Sequence, residues 1–150
     1  MPFIKEEAGI NTSKNLPLPT DINVPPPILN KDFITELGAG PLNYSRRSFE
    51  KWERLQISHG QCANEISLLR FAKIARVVDM VVYPTCTEHI ISLVKLANKH
   101  NVVLIPVGGT TCVSNALLMP LTEERMIVAV DMMRFSKLLY VDKENMVASA

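Results

Sequence analysis

Apolar residues along this chain fall into short runs divided by polar turns, and the spacing inside each run separates strand from helix. Residues 80–83, Met-Val-Val-Tyr, are uniformly apolar and stop at Pro84, which predicts a short buried strand. The spacing then turns helical over 85–100. Ile90, Ile91, Val94 and Ala97 mark a buried face. Thr85 and Glu88 have capping-box spacing, and Lys95, Lys99 and His100 put cations near the C-terminal end, where the helix dipole favours them. Asn101 suits a left-handed cap, and 102–105 return as a strand. A strand–helix–strand connection of this length requires parallel strands and a right-handed crossover.

Residues 126–131 predict another strand. Residues 137–141 and 146–150 predict two more, antiparallel and joined by the polar turn 142–145. Upstream, the chain turns at His59-Gly60 and 61–73 predict a helix, with Ile66 and Leu69 on one face and Glu65 and Arg70 outward. Residues 31–37 predict a short helix capped by Asn30 and ended by Gly38. Before it, Pro17, Pro19 and Pro25 to Pro27 deny helix and favour an extended path, either a flexible tail or an arm across a partner or another domain. The expected division is a Pro-rich arm over 1–30, a helical segment over 31–75 and an α+β unit over 76–150. That unit stops inside a strand pattern, which leaves a sheet edge to be covered.

A length of 150 residues is enough for one domain with a real core. A formal net charge of +1 with scattered basic residues gives no electrostatic case for nucleic acid, and Arg46-Arg47 is read as solvated surface. No apolar run approaches the length of a membrane span, and neither terminus shows a targeting address. Cys62, Cys86 and Cys112 are widely spaced and odd in number, which fits a reducing compartment and neither a disulfide framework nor a metal motif. His59, His89 and His100 lack carboxylate partners at ligand spacing, so no metal site is expected.

The chemistry concentrates after the strand 102–105, in Pro106-Val107-Gly108-Gly109-Thr110-Thr111-Cys112. Small residues replace bulky ones, adjacent glycines allow a backbone to approach a ligand closely, and free amides and hydroxyls can accept a phosphate. The loop lies at the carboxyl end of a parallel strand, where ligands of open α/β sheets bind. Its spacing is neither the three-glycine dinucleotide fingerprint nor a P-loop, since no Lys-Ser/Thr follows Gly109, so a plain strand-to-loop turn stays open as the alternative. Cys112 has no His or Lys beside it in sequence to activate a thiolate and reads as a small loop residue. His59 reads as a turn residue before it reads as a general acid–base group. No catalytic residue is assigned.

Several stretches together resemble one family. Pro84-Thr85 with the helix after it, Asn101, and Ile105 to Gly109 with Thr111 and Val113-Ser114 are similar to the PCMH-type FAD-binding half-domain of the vanillyl-alcohol-oxidase type flavoproteins. Pro26 to Phe33 with Glu36-Leu37, His59 to Cys62 with Glu65-Ile66 and Leu68 to Arg70, and Leu139 to Asp142 with Glu144-Asn145 narrow the resemblance to its alkylglycerone-phosphate synthase family. The resemblance implies the first half of a PCMH-type domain, with the arm and short helices in front. It implies non-covalent FAD and a transferase that replaces the acyl chain of acyl-dihydroxyacetone phosphate with a fatty alcohol, without net redox change, in ether-lipid synthesis. It also implies a peroxisomal setting, with peripheral membrane association and homo-oligomers of the full-length parent. Residue by residue, Pro106, Val107, Gly108, Gly109, Thr110, Thr111 and Cys112 correspond to the FAD-pyrophosphate loop, with Thr111 and Ser114 offering hydroxyls.

This chain departs from the family pattern at four places. Thr110 stands at a third glycine, Cys112 at a serine, Gln61 at a histidine and Val78 at a proline. If the third glycine needs positive φ, a β-branched Thr there costs about 1–3 kcal/mol. The family's later FAD segments and substrate cap have no counterpart before Ala150, so the expectation is the front of a synthase, inactive by itself. The alternatives are a non-enzymatic half-domain that associates with an intact synthase, and another FAD-linked oxidase or dehydrogenase.

Overall fold

A computed structural model describes residues 22–40 and 46–149. Most of the expected arm, 1–21, lies outside the described residues, as does Ala150. The elements are α1 (Lys31–Ala39), β1 (Arg46–Ser48), α2 (Lys51–Gln56), α3 (Ala63–Arg70), β2 (Met80–Tyr83), α4 (Thr87–His100), β3 (Val103–Val107), β4 (Ile127–Asp131), β5 (Tyr140–Asp142) and β6 (Val147–Ser149). The strands make a four-stranded sheet in the order β1-β2-β4-β3 and a separate β5-β6 pair.

The strand–helix–strand unit forms as the pattern predicts, with one addition. β2 and β3 both run parallel to β4, which lies between them, so α4 connects two strands that are not neighbours. β1 closes the other side antiparallel to β2. The expected hairpin is also present, β5 and β6 pairing antiparallel with Tyr140 opposite Ser149.

Alternation along β2 and β4 divides the core into two layers. Met80, Val82, Val128 and Val130 face Phe33 and Leu37 of α1 and Leu93 and Ala97 of α4. Val81, Ile127 and Ala129 face the other way, onto Ile57, Val78, Val107, Leu117 and Met119. Because both faces are covered, β2 and β4 read in sequence as unbroken apolar runs rather than alternating ones.

Three helix expectations need correction. α1 runs through Gly38 to Ala39 and closes with the Gly40 amide donating to the Glu36 carbonyl at 3.1 Å. The missing side chain at Gly38 instead makes room for Arg47, whose Nη2 would lie 3.3 Å from a Cβ there. Asn30 does cap α1, accepting from the Phe33 amide at 3.0 Å, and its Nδ2 donates to the His100 carbonyl at 3.0 Å, which ties α1 to the end of α4.

In α3, which is shorter than expected, Glu65 and Ile66 exchange places, while Arg70 is outward as expected and Leu69 is half-buried. Glu65 is 1 % exposed while Ile66 lies outward, because the Glu65 carboxylate takes up backbone amides of the preceding turn. α4 starts one turn position late, with Cys86 at the N-cap and no side-chain cap bond, so the expected Thr85 cap does not form. Its buried stripe is Leu93 and Ala97, flanked by half-buried Ile90 and Leu96, whereas Ile91 (49 % exposed) and Val94 (44 %) point away from the sheet. Two apolar stripes overlap on this helix, and the sheet meets only one. The left-handed cap at Asn101 is as expected, with φ 54°.

Residues 25–30 lie against their own domain. The buried Arg54 donates from Nη2 to the Pro25 carbonyl at 2.9 Å and from Nε to the Val78 carbonyl at 2.8 Å. Burial lowers the Arg54 pKa, and the nearby Asp79 charge opposes that shift. Asp79 has no exposed surface and uses both oxygens twice. Oδ1 accepts from the Ile28 amide at 2.8 Å and Arg76 Nη1 at 2.7 Å, and Oδ2 accepts from the Ile127 amide at 2.7 Å and Arg76 Nη2 at 2.7 Å. Removing one partner of a buried pair strands the other charge, so Asp79→Ala is expected to lose about 3–5 kcal/mol in equilibrium urea unfolding. Asp79→Asn, which keeps the shape, is expected to lose less. A loss below about 1 kcal/mol for the alanine variant contradicts this role for the carboxylate.

Candidate functional site

β3 delivers the small-residue loop to the carboxyl edge of the sheet. Pro106 is tolerated because β3 is an edge strand, where a missing N–H breaks no central ladder. Val107 anchors the start of the loop: its side chain is buried in the second core layer and its carbonyl accepts from the Met132 amide at 2.8 Å. Gly108, Gly109, Thr111 and Ser114 are exposed, and Thr110 and Cys112 are half-buried.

A Cβ at Gly108 would meet nothing within 4 Å, and one at Gly109 would meet only Thr111 Cγ2 at 3.9 Å. The fold itself therefore does not demand glycine at either position. The space is left on the solvent side, where a ligand would come. Among the described residues, no hydrogen bond takes up the amides of 108–111. Thr110 adopts φ 54°, the left-handed region in which glycine is at ease and a β-branched residue is strained. The loop thus has the glycine-like backbone that the family pattern leads one to expect, although the residue there is Thr.

Cys112 has a different surrounding from the other loop residues. Its side chain packs against the second core layer, and its carbonyl accepts from the Gln61 amide at 2.7 Å. The weak hydrogen-bonding power of a thiol therefore matters less here than it would for a side chain aimed at a ligand. His59 Nδ1 lies 3.0 Å from the Gly60 carbonyl, as a turn residue.

A cleft of about 240 Å³ opens beside the loop, lined by Gly108, Gly109 and Thr110 and by Glu53, Tyr83 and Asp131. A larger cavity of about 360 Å³, walled by residues such as Leu68, Ile74, Met119 and Leu121, is nearly all apolar. Size alone would select that cavity, but only the smaller cleft joins the strand ends to an open-amide loop.

The cleft is organised by Tyr83, the last residue of β2. Its hydroxyl donates to Glu53 Oε2 at 2.7 Å, and Glu53 also pairs with Arg46. The Arg46 guanidinium stacks over the Tyr83 ring at 4.6 Å, and that of Arg134 approaches the ring at 5.7 Å. The Tyr83 hydrogen bond, a further one from Ser48 and the Arg46 charge hold the Glu53 carboxyl below its usual range. Burial first, and then Glu53, push the Tyr83 phenol up to about 12. By sequence alone Arg46 reads as solvated surface and residues 46–56 show no individual element. The short β1 and α2 carry too few apolar positions to show a period.

A raised phenol pKa fixes the sign of an alkaline effect. The unfolded chain releases this proton near pH 10.0 and the folded chain near pH 12, so the contribution of Tyr83 to stability is present below 10.0 and lost as pH rises through 12. Phenolate absorbance is expected to show a component ionising near pH 12, and Tyr83→Phe is expected to remove that component. Its persistence in the variant would reject the assignment.

Comparison with known proteins bears on the same region. Residues 78–150 match the FAD binding domain family. Alkyldihydroxyacetonephosphate synthase of Caenorhabditis elegans is 35% identical over 131 residues, 87% of this chain and 21% of that protein. The Dictyostelium discoideum protein of the same name is 32% identical over 97% of this chain and 25% of its own length. A solved alkyldihydroxyacetonephosphate synthase superimposes with a TM-score of 0.82 at 32% identity, covering 98% of this chain and 28% of that one. Physcomitrella patens BBE-like 1, at 20% identity and a TM-score of 0.50, shares the fold alone. This chain spans only about a fifth to a quarter of the curated relatives' length. Its α+β fold is that of the PCMH-type FAD-binding domain, a family that binds FAD, and by sequence and structure together the chain belongs to the alkyldihydroxyacetonephosphate synthase family.

Proposed function

We propose that the loop from Pro106 to Cys112 holds the pyrophosphate of FAD, in the leading part of a synthase that exchanges the acyl chain of acyl-dihydroxyacetone phosphate for a fatty alcohol. The observation that carries this reading is the loop backbone. Thr110 keeps a left-handed φ of 54° against its own preference, with open space at Gly108 and open amides over 108–111. A strained conformation persists where the surroundings impose it, commonly at ligand sites.

The loop fits the cofactor through its backbone: open amides suit phosphate oxygens. The charged side chains lining the cleft are Glu53 and Asp131, with Arg46 paired to Glu53 and Arg134 over the Tyr83 ring, so the amides rather than a cationic side chain would meet the pyrophosphate. When bound, FAD would supply the electron-accepting ring chemistry of the exchange, and this part of the protein would position it and exclude water. Synthase activity is proposed for the whole protein, with no transfer expected from these 150 residues alone. A second reading, association of this half-domain with an intact synthase, is favoured by the exposed Leu138, Leu139, Tyr140 and Val141 around β5. Stoichiometric co-purification with the full-length enzyme tests it.

Calorimetric titration tests the first reading. FAD and ADP, which carry the pyrophosphate, are expected to bind the chain at least about tenfold more tightly than riboflavin. Equal affinities, or no binding of FAD, would remove the loop from this role. Thr110→Gly is expected to relieve the backbone strain, raise stability by about 1 kcal/mol and tighten FAD binding. A destabilised Thr110→Gly chain would show that the threonine is not strained.

A further inference from the structure

The downstream end of the cofactor loop is fastened to a turn that no cofactor contact explains. The Gln61 amide donates to the Cys112 carbonyl at 2.7 Å. Beside it, a Cβ on Gly60 would lie 2.3 Å from that same carbonyl oxygen, 2.9 Å from Cys112 Sγ and 3.1 Å from Glu65 Oε2. Gly60 is therefore required by close approach of backbone to backbone. The turn is held in its place by Glu65, whose Oε1 accepts from the Gly60 amide at 2.9 Å and whose Oε2 accepts from the Cys62 amide at 3.3 Å. Glu65 lies in the first turn of α3, where the helix dipole favours a carboxylate.

We propose that Glu65 is a positioning residue for the cofactor loop: it fixes the Gly60 turn, and the turn fixes the loop backbone at Cys112. The loop is then held at both ends, at Val107 by the Met132 amide and at Cys112 by the Gln61 amide, with the open amides of 108–111 between. A loop ordered before the ligand arrives costs less to order on binding. This inference rests on the FAD-loop reading for its purpose but not for its geometry.

The bland alternative is that Glu65 only caps α3. Hydrogen exchange on the full chain separates the two. Glu65→Gln offers an NH2 group where an amide donor must be met, so one of the two bonds is lost. The expected result is faster exchange at Gln61 and across 108–112, together with about tenfold weaker FAD binding. Ser67→Gly, on the exposed side of α3, weakens the helix without touching the turn and is expected to leave 108–112 unchanged. Equal opening of the loop in both variants, or in neither, would overturn the proposal.

Gly60→Ala probes the same contact from the other side. It is expected to open 108–112, and adding Cys112→Ala is not expected to restore the loop, because the closest contact is with the carbonyl. Full recovery in the double variant would also overturn the proposal. The two readings fail separately. If the unmodified chain does not bind FAD, the functional reading falls and the exchange data still decide the latch. If it binds FAD and Glu65→Gln binds it equally well with unchanged loop exchange, the latch falls alone.

Discussion

The arrangement depends first on a carboxylate that water never reaches. Asp79 sits immediately before β2, and its four hydrogen bonds join two distant parts of the chain, the Ile28 amide ahead of α1 and the Ile127 amide at the start of β4, to the neighbouring Arg76 guanidinium. The Asp79 amide in turn donates to the Ile127 carbonyl at 2.8 Å. A buried charge with all its lone-pair sites filled tolerates little displacement, because any lost bond leaves a desolvated oxygen. It therefore specifies which strand lies beside β2 and where that strand begins. Apolar packing alone would accept a register slip by two residues.

That registration carries through to the functional edge. With Met80 opposite Val128 and Val103 opposite Ile127, β2, β4 and β3 end together, so Tyr83, Asp131 and Val107 come out at one rim. The loop after β3 and the Tyr83–Glu53–Arg46 cluster then share a cleft, although they are far apart in sequence. A buried carboxylate at the amino end of the sheet sets the geometry of a ligand cleft at its carboxyl end.

What was legible in the sequence follows the length of each signal. β2, α4, β3, β4 and the β5-β6 hairpin are long enough or sharply enough bounded to show their period, and the Asn30 and Asn101 caps rest on local chemistry that tertiary context did not override. The loop was visible because small residues after an apolar run are uncommon. The insertion of β4 between β2 and β3 was not visible, since it depends on pairing between segments. Charge is normally solvated and isoleucine normally buried, so the sequence points Glu65 outward and Ile66 inward. The structure reverses both, since two unpaired backbone amides at the Gly60 turn needed an acceptor more than the core needed another isoleucine. Ile91 and Val94 are exposed for a related reason: the sequence shows that a face is apolar, not which surface it meets.

Thr110 and Cys112 show how far side-chain identity and backbone geometry can separate. Judged by residue type, both depart from the pattern expected of a phosphate loop. Judged by conformation, Thr110 holds φ 54° and Cys112 presents its carbonyl to Gln61 while its sulfur joins the core. Phosphate recognition by such a loop uses amides, and an amide's position is set by φ, ψ and by where the loop ends are fastened. Fastening lies at Val107 and at the Gly60–Glu65 turn, and neither is altered by the two substitutions. A threonine at positive φ costs about 1–3 kcal/mol, an amount that two fixed ends and a close-packed core can sustain. What the substitutions change is the room above the loop, because Thr110 adds a side chain where glycine has none. The consequence falls on affinity for whatever lies against the amides rather than on whether the loop forms.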